Sequence, residues 1–236
     1  MCAITGWHRP DFPARCDRET LLRHLIRKAQ PFGDKSFGLA TDLPGKDALV
    51  KYVGMPSQWL AQNSRDIGRF AKAQTLIAHA RYPTQGDVVR RNCHPFKVGD
   101  WLMAHNGTLR AERLMLRSSF VPAGETDSEA AGCWLATHGF STASLEELEG
   151  TFAIAAMSKD GAQFVLAVDE VTSLFVARIG EGILWHKSGE ALESSLRAVG
   201  IQAEVQALRS QVLRFPGGRG ERLDRSSNLF GARHDA

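Results

Sequence analysis

No apolar run in this 236-residue chain approaches the roughly 20 residues that a membrane-spanning helix requires. Its first residues, "MCAITGWHRP", lack the charged-then-apolar pattern of a leader. A cytoplasmic protein without membrane contact is expected. Cysteine is scarce: the 4 present (Cys2, Cys16, Cys93, Cys133) are widely spaced and include no C-x-x-C pair. Reduced thiols are therefore expected, with no disulfide framework and no zinc site. Internal repeats and low-complexity runs are absent. There is no G-x-x-x-x-G-K-[ST] phosphate loop and no dinucleotide fingerprint, since "FPGGRG" fits neither spacing, so no cofactor is expected. The net charge is only +3, and the arginines of "VVRRN" and "RFPGGRGERLDR" alternate with acids, glycine and proline. A nucleic-acid face concentrates its cations and interleaves aromatics, so these arginines read as solvated surface.

What is present suffices for a buried core: 43% apolar and 23% charged residues. "TLLRHLIRKA" (20–29) has helical spacing, and "KSFGLAT" and "ALVKYV" read as strands around the turn "DLPGKD". "PSQWLAQNSRDIGRFAKA" reads as one helix opening on Pro56. "QTLIAHARY" and "DWLMAHNG" are apolar runs ending in polar residues, the pattern of strands that deliver chemistry at their ends. Helices are expected over "LRAERLMLRS" and from "TDSEAAGCWLATHG", the latter stopped by Gly139. Four β-rich segments from 151, "TFAIAAMS", "QFVLAVD", "SLFVARI" and "GILWHK", read as an antiparallel meander. A helix over "SGEALESSLRAVG" follows, then a strand at "QVLRF" and a C-terminal tail at 216–236. Two antiparallel sheets packed face to face with helices outside, an α+β architecture, account for this order.

The chemistry-bearing residues crowd into a few short stretches. Cys2 follows the initiator methionine and is small enough for Met1 to be removed, which would place an α-amine with an ordinary pKa near 8 on the same residue as a thiol. Nucleophile and base would then share one residue. Taken alone, Cys2 reads as a small apolar residue at a chain end. "HARYPTQG", "NCHPF", "AHNGTL" and "TDSEAA" follow in that order. "AHNGTL" alone reads as a hairpin turn, and "TDSE" alone as a capping box of Thr126 and Glu129.

Together with "MCAITG", these segments resemble the class II glutamine amidotransferases, a family of N-terminal nucleophile hydrolases, across roughly residues 2–190. The resemblance implies a four-layer αββα sandwich of two antiparallel β-sheets and a domain spanning 2–215. It also implies roles. Cys2 would attack the glutamine side-chain amide, releasing ammonia and leaving a γ-glutamyl thioester that water opens. Asn106 and Gly107 would form the oxyanion hole, Arg81 would grip the substrate α-carboxylate, and Asp127 the α-ammonium. Tyr82, standing where the family often has Trp, and Thr84 would flank the substrate. His94 would pack beneath the site as a satisfied structural histidine. The polar stretch "TQGDVVRRN" (84–92), containing Gly86, is expected to close over bound substrate.

Departures from the family pattern cluster around the nucleophile. Ala3 replaces a usual Gly and is expected to add a methyl beside Cys2, Gln85 replaces a His, and Phe32 and Lys35 replace the Arg and Asp of an "RG-x-D-S-x-G" element. The chain leaves no room for a synthase domain, so ammonia would pass to a separate acceptor enzyme. Two alternatives stay open: hydrolysis of a larger γ-glutamyl amide, and a non-catalytic domain that binds an amino acid or a partner.

Overall fold

The computed structural model describes residues 2–110, 112–215 and 227–228. Of the tail expected at 216–236, residues 216–226 and 229–236 lie outside the described residues. The chain runs β1 (Ala3–His8), α1 (Arg18–Ala29), β2 (Ser36–Thr41), β3 (Leu49–Val53), α2 (Pro56–Gln62), α3 (Ile67–Phe70) and β4 (Thr75–Arg81). It continues through β5 (Phe96–Val98), β6 (Trp101–Leu109), α4 (Glu112–Met115), α5 (Asp127–His138), α6 (Thr142–Glu146), β7 (Gly150–Ser158) and β8 (Phe164–Val168). The last elements are β9 (Leu174–Ile179), β10 (Gly182–His186), α7 (Gly189–Ala198), β11 (Val205–Leu208), β12 (Gln211–Phe215) and β13 (Ser227–Asn228).

The strands form a seven-stranded sheet, ordered β11-β9-β10-β1-β4-β2-β3, and a six-stranded sheet, ordered β13-β12-β8-β7-β6-β5. Every pairing is antiparallel. Alternation along the strands separates three apolar layers. On β1, Ile4 faces the other sheet with Leu102, Ala104, Phe164 and Trp185, whereas Trp7 faces α1, where Leu21, Leu22, Leu25 and Ile26 pack. On β6, Ala104 faces the other sheet, whereas Met103 faces α5 with Trp134 and Leu135. The result is the expected αββα sandwich. Each sheet has two apolar faces, and helices cover the outer ones. No helix among the described residues is long and apolar enough to cross a membrane.

Three expectations need correction. The helix read over 56–73 breaks after Gln62, where Asn63 turns its side-chain N–H onto the Trp59 carbonyl and competes with the next helical turn. The helix read over 109–118 narrows to Glu112–Met115. The four segments from 151 are two hairpins in different sheets: β7–β8 belongs to the six-stranded sheet and β9–β10 to the seven-stranded one. Their crossing point is Asp169, whose carboxylate accepts the backbone N–H groups of Phe152, Val171 and Thr172. Periodicity reports which face a residue occupies, not which sheet it joins. The short strands β5 and β11 were not anticipated.

Several histidines are buried between these layers. His8 stacks on Phe164 at 4.7 Å, and burial pushes it down to about 3. Burial likewise lowers His79 to about 3 and His186 to about 4. These rings are neutral in the folded protein, whereas an unfolded chain takes up protons near pH 6.5. The unfolded state therefore binds more protons between these values, and stability falls as pH drops through that window. Melting temperature is expected to decline steadily from pH 6.5 toward 4, starting above the carboxylate range. Thermal melts across this range check it, and a flat profile down to pH 4.5 would contradict it.

Candidate active site

One open cleft is lined by Cys2, Arg81, Tyr82, Thr84 and Gln85 from one sheet and by His105, Gly107 and Asp127 from the other side. His94, Thr126 and Ser128 complete its wall. The segments that are separate in sequence meet because β1 and β4 are neighbours in the seven-stranded sheet and both pack on β6 of the other.

Cys2 precedes β1, and by alternation its side chain shares the inter-sheet face with Ile4. Its Sγ accepts the Tyr82 N–H at 3.3 Å and donates to the Tyr82 carbonyl at 3.2 Å. Burial pushes the thiol above its ordinary range, opposed by the Tyr82 backbone contact and by the Arg81 charge. The sulfur is thus held as a thiol and needs a base to take its proton. Ala3 turns the other way, into a small cluster with Ala29 and Ala80 beside Phe32. The expectation that its methyl crowds the nucleophile is corrected by strand alternation. Phe32 belongs to that same packing, and Lys35 is paired with Asp34 at 3.4 Å on the surface.

Asn106 and Gly107 lie within strand β6 and form no turn. Gly107 is opposite Phe152 of β7, but the Phe152 N–H and C=O are both taken by Asp169 on the far side. In an antiparallel ladder this turns the Gly107 N–H away from β7. On that side β5 pairs only as far as Met103, so the edge of β6 beyond it is uncovered. Along this edge the His105 carbonyl accepts from the His79 ring and the Leu109 N–H donates to Asp127, which leaves the Gly107 N–H between them. Glycine is required here: φ is +149°, and a Cβ would lie 1.9 Å from the Thr151 carbonyl oxygen. Alternation sets the Asn106 side chain on the inter-sheet face with Ala104, the face that Cys2 also uses. Among the described residues that amide has no hydrogen-bond partner.

Arg81 ends β4 and is only 3% exposed. Its guanidinium donates to the carbonyls of Gln85 (2.5 Å), Gly86 (3.1 Å) and Asp87 (3.2 Å), so the fork expected to face a carboxylate is engaged by its own loop. Burying a cation demands such partners. Asn92, fully buried, donates to the Asp87 carbonyl and accepts the Glu125 N–H, tying this loop to the segment before α5. Gly86 and Gly124 flank it, and a Cβ on Gly124 would come within 2.3 Å of its Oδ1. Gln85 accepts the Asp127 N–H through Oε1, so the residue replacing the usual His holds the start of α5. Tyr82 contributes its backbone to Cys2, while its side chain is 49% exposed, and Thr84 is exposed at the rim.

Asp127 opens α5. Thr126 caps that helix by accepting the Glu129 N–H, but Glu129 reaches back to the Gly124 N–H, so the expected reciprocal box is only half formed. The Asp127 carboxylate accepts from Leu109 N–H through Oδ2 and from Ser128 N–H through Oδ1, and the Ser128 Oγ lies 3.2 Å from the same Oδ1. His94 stacks on His79 at 4.0 Å with neither ring nitrogen partnered, so it is buried but not satisfied as expected. Burial holds both rings neutral. His79, Ser128 and the bracing role of Asn92 went unread in the sequence. The glycines placed to clear Asn92 were the available signal for the last.

The family described as "Glutamine amidotransferases class-II" matches residues 59–168. "Putative glutamine amidotransferase YafJ" of Escherichia coli (strain K12) is 41% identical over 68 residues, a stretch covering 27% of this chain and 27% of that protein. Among solved structures, the glutamine phosphoribosylpyrophosphate amidotransferase of B. subtilis superposes with a TM-score of 0.69 at 17% identity, over 98% of this chain and 49% of the other. A glutamine aminotransferase class-II domain protein from Silicibacter pomeroyi does so at 0.53 with 14% identity, over 91% of this chain and 95% of its own. At these identities the two structures speak for the fold, an αββα sandwich shared with amidotransferases, while the matched segment carries the cleft residues Arg81 through Asp127. Residues 59–168, just under half of the chain, thus match the class II glutamine amidotransferases, and the described residues have the fold of the amidotransferases.

Proposed function

We propose that residues 2–215 form a catalytic unit that hydrolyses the side-chain amide of glutamine through Cys2 and passes ammonia to a separate acceptor enzyme in the cytoplasm. The reading is carried by one observation: a thiol, a strand-edge N–H, a buried guanidinium and a buried carboxylate border a single cleft. Removal of Met1 gives Cys2 a free α-amine, which takes the thiol proton as sulfur bonds to the amide carbon. The developing oxyanion is met by the Gly107 N–H and the Asn106 amide. The same proton then reaches the amide nitrogen, the C–N bond breaks and ammonia leaves. Water opens the thioester, which returns the thiol and releases glutamate.

Arg81 and Asp127 recognise the two charged ends of a free amino acid. A fork that now binds loop carbonyls can exchange one of them for a carboxylate, which is the chemical basis for the loop 84–92 closing over substrate.

The test is glutamine-dependent ammonia release with glutamate formed in equal amount, followed by labelling with a glutamine-like thiol alkylator and mass mapping. The label is expected on Cys2, in protein whose intact mass lacks Met1. Ammonia or amine released only from an N-substituted γ-glutamyl amide would transfer the assignment to the larger-substrate alternative. Full activity with Met1 retained would remove the shared-residue base.

A further inference from the structure

Behind the Asp127 carboxylate stands a short polar chain that the reaction outlined above does not use. Ser128 Oγ is 2.8 Å from His105 Nδ1 and 3.2 Å from Asp127 Oδ1. The other ring nitrogen, Nε2, faces the Thr151 carbonyl at 3.2 Å. All three side chains are buried.

A proton inventory fixes the directions. A carbonyl oxygen carries no proton, so His105 Nε2–H is the donor to Thr151. A neutral ring then presents Nδ1 as an acceptor. Ser128 has one hydroxyl proton and two acceptors, the ring at the shorter distance and the carboxylate at the longer. Burial lowers the His105 pKa, against the opposing pull of Asp127, and so favours the neutral ring that this count assumes. With the hydroxyl proton directed at the ring, Asp127 Oδ1 receives only the Ser128 backbone N–H at 2.8 Å, and Oδ2 only the Leu109 N–H at 2.8 Å. A carboxylate can accept about four hydrogen bonds. It is thus fixed in orientation by two backbone donors while keeping lone pairs free.

We propose that Ser128 and His105 are positioning residues for amino-acid selectivity: the His105 ring draws the Ser128 hydroxyl proton away from Asp127, leaving a fixed, under-donated carboxylate for a substrate ammonium. The proposal rests on the reading of Asp127 as the ammonium site. It makes His105 and Ser128 act on substrates that carry an α-amine and leave those without one unaffected.

The experiment compares binding of L-glutamate and of glutarate, its counterpart without the amine, to the full-length protein by calorimetry. Both ligands are measured on one preparation, so the ratio of affinities does not depend on the folded fraction. His105→Phe, which removes the ring acceptor and turns the Ser128 hydroxyl onto Asp127, is expected to weaken L-glutamate about tenfold, the scale of one hydrogen bond to a charged group, and to leave glutarate within twofold. Ser128→Ala added to His105→Phe removes that misdirected hydroxyl and is expected to restore the ratio. If His105→Phe does not fold, His105→Leu, which also lacks the ring acceptor, is expected to shift the ratio in the same direction. Equal loss for both ligands would mean a merely structural role and would overturn the proposal, as would no loss for either. Asp127→Asn separates the two levels of argument. Selective loss of L-glutamate in that variant without selectivity in the His105 variants sinks the relay alone, whereas no selectivity in Asp127→Asn sinks the ammonium reading and the relay with it.

Discussion

Replacing Cys2 by alanine is expected to cut ammonia release from glutamine by at least about 10⁴-fold while leaving glutamine bound, because no other side chain in the cleft can take over the covalent step. The candidates can be examined in turn. Thr84 is a hydroxyl at the exposed rim, with no base in contact. Ser128 directs its only proton at the buried His105 ring and lies behind the carboxylate. Cys93, a buried thiol, is directed at the carbonyls of Tyr52 and Val89, away from the cleft. Cys2 alone combines a place in the cleft with a neighbouring amine once Met1 is removed. Burial raises its thiol pKa, so the resting enzyme holds the proton and spends no free thiolate on solvent oxidants. Cys2→Ser is expected to be nearly as damaging, since a hydroxyl is a weaker nucleophile with the same base. Ammonia assays on both variants, beside calorimetry of glutamine binding, check this. Residual activity within tenfold of the parent protein would remove Cys2 from the chemistry.

Much of this was legible in the sequence because the relevant signals are local. Gly139 stops α5 with a φ of +82°, and Thr126 caps its start, as the residues themselves required. The helix over 18–29 presents its apolar face where the spacing put it. The two-sheet architecture was legible too, but not the membership of each strand. The segments at 151–186 alternate alike whether they continue one sheet or change to the other, and Asp169, which fastens the crossing, looks in sequence like any turn aspartate. The site was legible as residue types and not as orientations. Ala3 was expected beside the nucleophile, yet one step along a strand inverts the face, and its methyl lies under α1. Arg81 was read as a waiting fork, but a cation buried to this degree finds partners in any state, and the nearest were the carbonyls of its own loop. Asn92 and His79 escaped notice because their work is done through backbone groups, whose positions exist only after the fold does.

Asn106 lies on the same face as Cys2 but outside the cleft lining; it offers the second large effect, and it can be separated from stability more cleanly than the residues that line the cleft. Asn106→Ala is expected to lower kcat for glutamine hydrolysis by roughly 10²–10³-fold, the usual loss for one oxyanion donor, with KM changed by no more than a few-fold. The stabilised charge develops only after sulfur attacks, so ground-state binding has little to lose. Ordinarily a buried asparagine is costly to remove because its partners are left unsatisfied. Here the amide has no protein partner among the described residues, and nothing is orphaned by its removal. The melting temperature is therefore expected to stay within about 2 °C of the parent, a shift that for a chain of this size corresponds to under roughly 1 kcal/mol. Gly107 cannot be used for the same purpose, since a Cβ there meets the Thr151 carbonyl oxygen at 1.9 Å and would disturb β6 itself. Asn106→Asp sharpens the comparison: it keeps the volume but turns a donor into an anion beside a developing anion, so its activity should fall below that of the alanine variant. Steady-state kinetics and thermal melts on the two variants decide the matter. A variant that melts early and loses kcat in proportion would make Asn106 a packing residue, and one that retains kcat would leave the Gly107 N–H as the sole donor to the oxyanion.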